Sequence, residues 1–505
     1  MHLSAIDWGI ILVYLAGCMV VGLKMRRFVH GIEDFAVAGR EMDVHLGIAS
    51  LAATELGLIT VMYTAQLGYD KGFAGATVGV LMALAMYGVG CTGFVIGPMR
   101  SAGVMTIPEL FEKRFGTKVR WLAGLVVALG GVLNMGIFLK VGGDFLVHAA
   151  GFPEHYLKWI MTILLGLVLL YTVLGGMLSV LVTDYLQFLV MGLGIVVTSV
   201  WVIVDVGWPA LTTGLMENWK TAASGASAGM KAHPFNPFHG SSLGWGYILW
   251  QALFQVAVVT TWQTTIARVL SAKDEKTAKR IYRRSAFYFV GRFALPGLWG
   301  VAALVHFNYG KDLPASLNSL TAMPAYLGTL LPVGIIGLLI AAMLAAEMST
   351  DSGYLLTWAT VIYNDLITPC LKKPLAPRAR LLMTRVLVLG LGVFLVFYGL
   401  WYPLKENAWD YLAVTGTIYL ASVFTLLVGG LYWPRANAVG AAAALLLGAI
   451  GPLVFLWAGA QPQLKFKIAP EVAGASSFAL AFLGMIGGSL LFPGRNKTSA
   501  ATISS

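Results

Sequence analysis

Charge is what this chain has least of. Only 11% of its 505 residues are Asp, Glu, Lys or Arg, while 58% are hydrophobic. A water-facing globular surface needs more charge than that to stay in solution, so an ordinary soluble domain is excluded. Cysteine is scarce too. Cys18, Cys91 and Cys370 stand far apart, which is neither a disulfide framework nor a zinc spacing. The eight histidines form no ligand cluster in sequence. There is no phosphate-binding loop and no nucleophile–base pattern, so no enzyme chemistry is expected. The opening MHLSAIDWGI has neither a basic n-region nor a small-residue cleavage site. The first apolar run therefore reads as a retained helix rather than a removable signal.

What is abundant is long apolar sequence. About thirteen runs stand out, near 6–23, 46–69, 74–97, 120–149, 158–175, 182–204, 244–265, 285–307, 327–363, 382–402, 408–431, 437–458 and 473–493. About 20 apolar residues in a helix cross the hydrocarbon core of a bilayer. The chain reads as an all-α integral membrane protein, with the lipid bilayer as its surroundings. Its 59 glycines suit membrane helices whose backbones approach closely.

The net charge of +11 is placed as unevenly as the apolar runs are placed evenly. Lys and Arg gather in four gaps, 24–45, 98–120, 266–284 and 364–385, the third running from Arg268 to Arg284. Such loops stay cytoplasmic. Thirteen crossings put all four gaps on one side, with the N-terminus outside and the C-terminus inside. The positive charge is thus a topology device with affinity for anionic lipid, and no nucleic-acid partner is expected. The outer segment 205–243 is rich in Gly, Ala, Ser, Pro and Trp, and reads as a partial lid or short surface helices. The tail GRNKTSAATISS is polar and too short for a domain.

Two runs fit poorly as plain spans. Run 327–363 is far longer than a bilayer needs, so it is tilted, kinked or preceded by a surface helix. Run 46–69 holds Gly47, Gly57, Gly68, several threonines and, mid-run, Glu55. Irregular backbone is tolerated there if it faces a cavity.

Charges inside spans cost roughly 2.5–3.5 kcal/mol each at a helix centre on insertion scales. They therefore default to interior sites. Glu55 beside weak helix suits a cation site, or else pairs with Arg292. Glu347 and Asp351, four apart on one face, form a proton- or cation-responsive pair, or else Asp351 lies near water and Glu347 bonds a neighbouring helix. Lys140 and Asp144 are also four apart: a structural ion pair, or an anion-binding lysine. Ser349 and Thr350 matter only if oxygens of another helix meet them, since such hydroxyls usually bond their own helix.

Five segments together resemble the sodium:solute symporter family: DFAVAGR (34–40), TIPELFEKRFG (106–116), YTVLGGMLSVLVTDYLQ (171–187), WQTTIARVLSAKDEKTAKR (262–280) and AAEMSTDS (345–352). They follow the family's order over about 6–458. The resemblance implies a leucine-transporter-type fold with two inverted five-helix repeats. Its divisions would be 1–45 (leading helix and inner loop), 46–204 (first repeat), 205–243 (outer loop), 244–431 (second repeat) and 432–505 (two peripheral helices and tail). Runs 46–69 and 244–265 would be the broken helices. It also implies a sodium site from the carbonyls of Ala53, Leu56 and Ala346 and the hydroxyls of Ser349 and Thr350. Asp184 matches a family acid near the inner exit.

The implied activity is sodium-coupled symport of a small organic solute into the cytoplasm by alternating access. No cofactor is implied beyond Na+ as the coupling ion. The solute would bind midway, with Thr54, Gln66, Lys140, Gln255, Thr260 and Gln263 as candidate contacts. Lys140 and Arg292 tilt the reading toward an organic acid. This chain departs from the family at Glu55, Gly57, Ala267 and Glu347. Those acids, with Asp184 and Asp351, leave H+ coupling open beside Na+. A proton-relaying bioenergetic subunit is a further alternative, though it calls for more centred lysines than Lys140 alone. A plasma membrane, the inner membrane of a bacterial cell, is the expected location. The oligomeric state is not readable.

Overall fold

The computed structural model describes residues 3–28, 31–225, 229–373, 375–401, 408–459, 461 and 468–493. The polar tail lies outside the described residues, whose regular structure is all helical with no strand. A single isolated parallel bridge joins Met42 and Ala272. In chain order the main helices are α1 (Ala5–Met25), α2 (Val44–Glu55), α3 (Leu58–Lys71), α4 (Thr77–Thr92), α5 (Ile107–Phe115), α6 (Thr117–Met135), α7 (Phe138–Ala150), α8 (Leu157–Val206) and α9 (Gly244–Thr261). They continue as α10 (Gln263–Ser271), α11 (Glu275–His306), α12 (Ala322–Leu330), α13 (Ile335–Val361), α14 (Pro377–Trp401), α15 (Ala408–Tyr432), α16 (Ala438–Gly448), α17 (Ile450–Gly459) and α18 (Pro470–Leu491).

Ten helical stretches among the described residues are long and apolar enough to cross a membrane. The 50-residue α8 is one of them. At 1.5 Å per residue it would be about 75 Å long, more than twice a bilayer core. Gly176 resolves this: its φ of 54° and ψ of −148° break the helix there. A side chain at Gly176 would also run into Phe35.

Both runs expected to be broken are broken. Leu56 and Gly57 leave helical geometry between α2 and α3. Trp262, at ψ 110°, separates α9 from α10. Run 327–363 is the short α12 followed by α13, with Leu331–Gly334 between them. The N-terminal helix is pinned to α13. Asp7, in a capping box with Ser4, accepts main-chain bonds from Gly334 (2.7 Å) and Gly337 (3.0 Å).

Small residues let the core close. At Gly68 and Gly300 an added Cβ would strike the carbonyls of Gly297 and Ala65, so α3 and α11 pack backbone to backbone. Nearly every residue of α13 and α15 is buried, so these two helices lie deep in the bundle.

The four basic gaps meet one another. Arg40 donates to the carbonyls of Gly103 (2.9 Å) and Val104 (3.3 Å). Arg100 donates to those of Ala272 (2.5 Å) and Lys273 (3.1 Å). Arg120 pairs with Asp365 at 3.0 Å. Two gap residues are nonetheless interior. Arg268, expected as loop charge, sits on α10 with 1% of its surface exposed, because that helix runs on to Ser271. Arg120 is 8% exposed on α6.

Candidate functional site

The break after α2 leaves main-chain oxygens without helical donors. Thr350 donates its hydroxyl to the Thr54 carbonyl (3.1 Å), and Thr60 donates to that of Glu55 (3.2 Å). Among the described residues no main-chain N–H reaches the carbonyls of Ala53 or Leu56. The break lies directly against α13: a side chain at Gly57 would collide with the Thr350 hydroxyl. Ser349, next to Thr350, donates to Asp184 of α8 at 2.6 Å. Ala346 is one turn earlier on the same helix.

Asp184 is the hub of a fully buried network. Its second oxygen accepts from Ser50 (2.6 Å), Thr54 (3.2 Å) and Arg268 (3.3 Å). Arg268 also donates to Thr54 (2.5 Å), Ser50 (3.3 Å) and the Thr264 carbonyl (3.0 Å). A buried ion pair survives only with such additional bonds. The network ties α2, α8, α10 and α13 together beside the break.

Beside the break lies a small cavity of about 70 Å³. Glu55, Thr60, Tyr63, Asn134, Gln255 and Arg292 supply its polar wall. Phe138, Phe254, Trp262, Tyr354 and Trp409 supply aromatic faces. Arg292 bonds Glu55 (3.2 Å), Thr60 (3.2 Å) and Tyr63 (3.0 Å). The other Glu55 oxygen accepts from Thr265 at 2.5 Å. An opposite-charge pair thus sits on the wall of a mostly apolar cavity, the usual form of a small-molecule site.

The family model for the sodium:solute symporter family matches residues 35–448. The chain belongs to the sodium:solute symporter family. The sodium/glucose cotransporter 4 of Danio rerio is 27% identical over 90% of this chain and 72% of its own. The sodium/sialic acid symporter SiaT of Proteus mirabilis is 24% identical, covering 89% of each chain. A solved structure of a Na+-coupled sialic acid symporter, substrate-bound and outward-open, superposes with a TM-score of 0.80 at 21% identity. It covers 98% of this chain and 99% of its own. The fold is therefore of the leucine-transporter type. As a member of this family the protein is a transporter, not an enzyme, and couples solute movement to Na+.

In this symporter the residues picked out from sequence fall into three places. Ala53, Leu56, Ser349 and Thr350 converge at the break, with Asp184 beside them. Glu55 and Gln255 line the cavity. Glu347 and Asp351 occupy a different side of α13, and the Glu347 carboxylate lies against Gly142 of α7. Both are at most 1% exposed. One Glu347 oxygen and both Asp351 oxygens have no hydrogen-bond partner among the described residues.

The other candidate contacts do not line this cavity. Thr54 serves the Asp184 network. Gln66 ties α3 to Ser319 and to the Ala408 N–H. Gln263 accepts from the Ile107 N–H (3.2 Å), and Thr260 bonds its own helix. Lys140 is half-buried on α7. Sequence reasoning missed Arg268 as the partner of Asp184, and the ring of aromatics around the cavity. Asn134 on α6 could have been suspected as a lone amide within an apolar run.

Proposed function

We propose that this symporter carries a small organic solute bearing a carboxylate into the cytoplasm, with Na+ held by Ala53, Leu56, Ala346, Ser349 and Thr350. The observation that carries the reading is the pair of carbonyls at Ala53 and Leu56 that no main-chain N–H among the described residues reaches, at a break packed against a helix that presents two hydroxyls. A monovalent cation replaces its hydration shell with such oxygens. The ion would join α2 to α13 and favour the state that admits solute from outside. Its loss inward would release α2. The inner ends of α2 and α10 are tied meanwhile: Met42 N–H donates to Ser271, and Lys273 N–H to Met42, both at 3.1 Å. The membrane potential adds roughly 2.3 kcal/mol per charge per 100 mV to inward movement.

The solute would lie in the cavity against Arg292. The organic-acid leaning now rests on Arg292, since Lys140 does not line that wall. Thirteen crossings, an outside N-terminus, an inside C-terminus and the 46–204 and 244–431 repeats complete the proposal, in a bacterial inner membrane. Contact among all four basic gaps supports the orientation.

One observation favours a second reading. Glu347 and Asp351 bury three carboxylate oxygens without donors among the described residues. Protonation would remove the cost of burying their charge, so H+ coupling stands beside Na+ coupling. Uptake of labelled solute into proteoliposomes under separate Na+ and H+ gradients decides. Na+-driven uptake should fall about tenfold or more in the Ser349→Ala, Thr350→Ala double variant. Undiminished uptake would reject the assigned ion site.

A further inference from the structure

The cavity wall says more about the solute than the presence of a carboxylate. We infer that the solute is a zwitterion, with an ammonium and a carboxylate a few bonds apart on a compact body. This rests on the cavity being the solute site.

Glu55 and Arg292 are 3.2 Å apart on the same wall and together carry no net charge. A simple anion drawn to Arg292 comes equally close to Glu55, so repulsion offsets the attraction. A simple cation meets the reverse problem. A zwitterion laid against the pair with its dipole opposed gains from both charges at once. Its exclusion from water by the aromatic wall strengthens both interactions.

The uncharged polar groups argue against a polyol. Asn134 donates to the Leu412 carbonyl and Thr415, and Gln255 donates its amide to Gln251. Thr60 and Tyr63 are engaged by Arg292. Trp262 donates to Tyr354. The Tyr63 and Tyr354 hydroxyl protons and the Asn134 and Gln255 oxygens are what remains for a solute among the described residues, fewer groups than a molecule with many hydroxyls needs in a dry site.

The buried atoms that the wall leaves unmet include one acceptor and one charged donor. Gln255 Oε1 is buried with no donor, and Arg292 Nε is buried with no acceptor, among the described residues. Gln255 has no exposed surface at all. An ammonium supplies N–H to the first, and a carboxylate supplies oxygen to the second. The rings of Tyr63 and Trp409, 4.8 Å apart at their centroids, offer faces to the cationic end or to an apolar body.

The test is thermal unfolding of the purified full-length protein in Na+ with four ligand sets. These are the twenty standard amino acids, a sugar and polyol set, a set of small monocarboxylates and dicarboxylates, and choline. The first set should raise the melting temperature and the other three should not. One member should compete for labelled-solute uptake, and its deaminated analogue should be weaker by about tenfold or more. In Glu55→Gln that preference should shrink or reverse, because the ammonium has lost its carboxylate. No shift from the first set, or a larger shift from any other, overturns the inference. Stabilisation by Na+ alone, with and without Ser349→Ala plus Thr350→Ala, reports on the ion site independently. A zwitterion shift with no Na+ effect would keep this inference and discard the ion site. A Na+ effect with a sugar shift would do the opposite.

Discussion

Two sides of one helix solve the same problem in opposite ways. On one side of α13, Ser349 joins a buried carboxylate, Asp184, that accepts from three hydroxyls and a guanidinium. On another side, Glu347 and Asp351 are equally buried, yet three of their oxygens meet no donor among the described residues. Burying an ionised carboxylate without partners is prohibitive, so such a group takes a proton or a cation. The contrast separates two uses of acid in a membrane interior. Asp184 holds helices around the broken α2 in a fixed arrangement. On the second reading proposed above, Glu347 and Asp351 would be the pair that changes state.

The contrast can be broken, and the largest effect should come from Arg268→Met. It strands Asp184 as an uncompensated charge, which costs about 3–5 kcal/mol. Denaturant unfolding in detergent should show the loss, and adding Asp184→Asn should recover most of it. Unchanged stability in the single variant would dissolve the distinction between the two sides. Asp184→Asn alone should cost a similar amount, since it leaves the buried Arg268 guanidinium without its counter-charge. Gly57→Ala drives a methyl into Thr350 and should cost about 1–3 kcal/mol. Its Na+-driven uptake should fall further than its stability suggests. Asp351→Asn should be the mildest, about 1 kcal/mol or less, since neither carboxylate oxygen gives up a hydrogen bond to the described residues. A loss as large as that of Asp184→Asn would show that Asp351 has a partner after all. In a protein coupled through this pair, Asp351→Asn should also flatten the pH dependence of uptake.

Class and core plan were legible because hydropathy and small residues act locally. Glu55, Gly57 and the threonines of run 46–69 mark a helix that cannot stay regular, and the break falls among them. The aromatics of the cavity were not legible. Phe254 and Trp409 are as apolar facing a solute as facing lipid, and only tertiary packing tells the two apart. Arg268 was misplaced for a related reason. A charge just past an apolar run reads as loop until its partner is known, and Asp184 lies 84 residues away in sequence. Gln66 and Gln263 show the converse. A buried amide signals a hydrogen bond, but these two serve the outer segments and α5 rather than a ligand.

The central claim is that Na+ sits where the break of α2 meets α13. Its most direct test is the thermal shift caused by Na+ over K+ at constant ionic strength, in the parent and in the Ser349→Ala, Thr350→Ala variant. A hundredfold excess over Kd should stabilise the parent by about 2.7 kcal/mol, and the variant by little or nothing. An equal Na+ shift in both proteins would contradict the account.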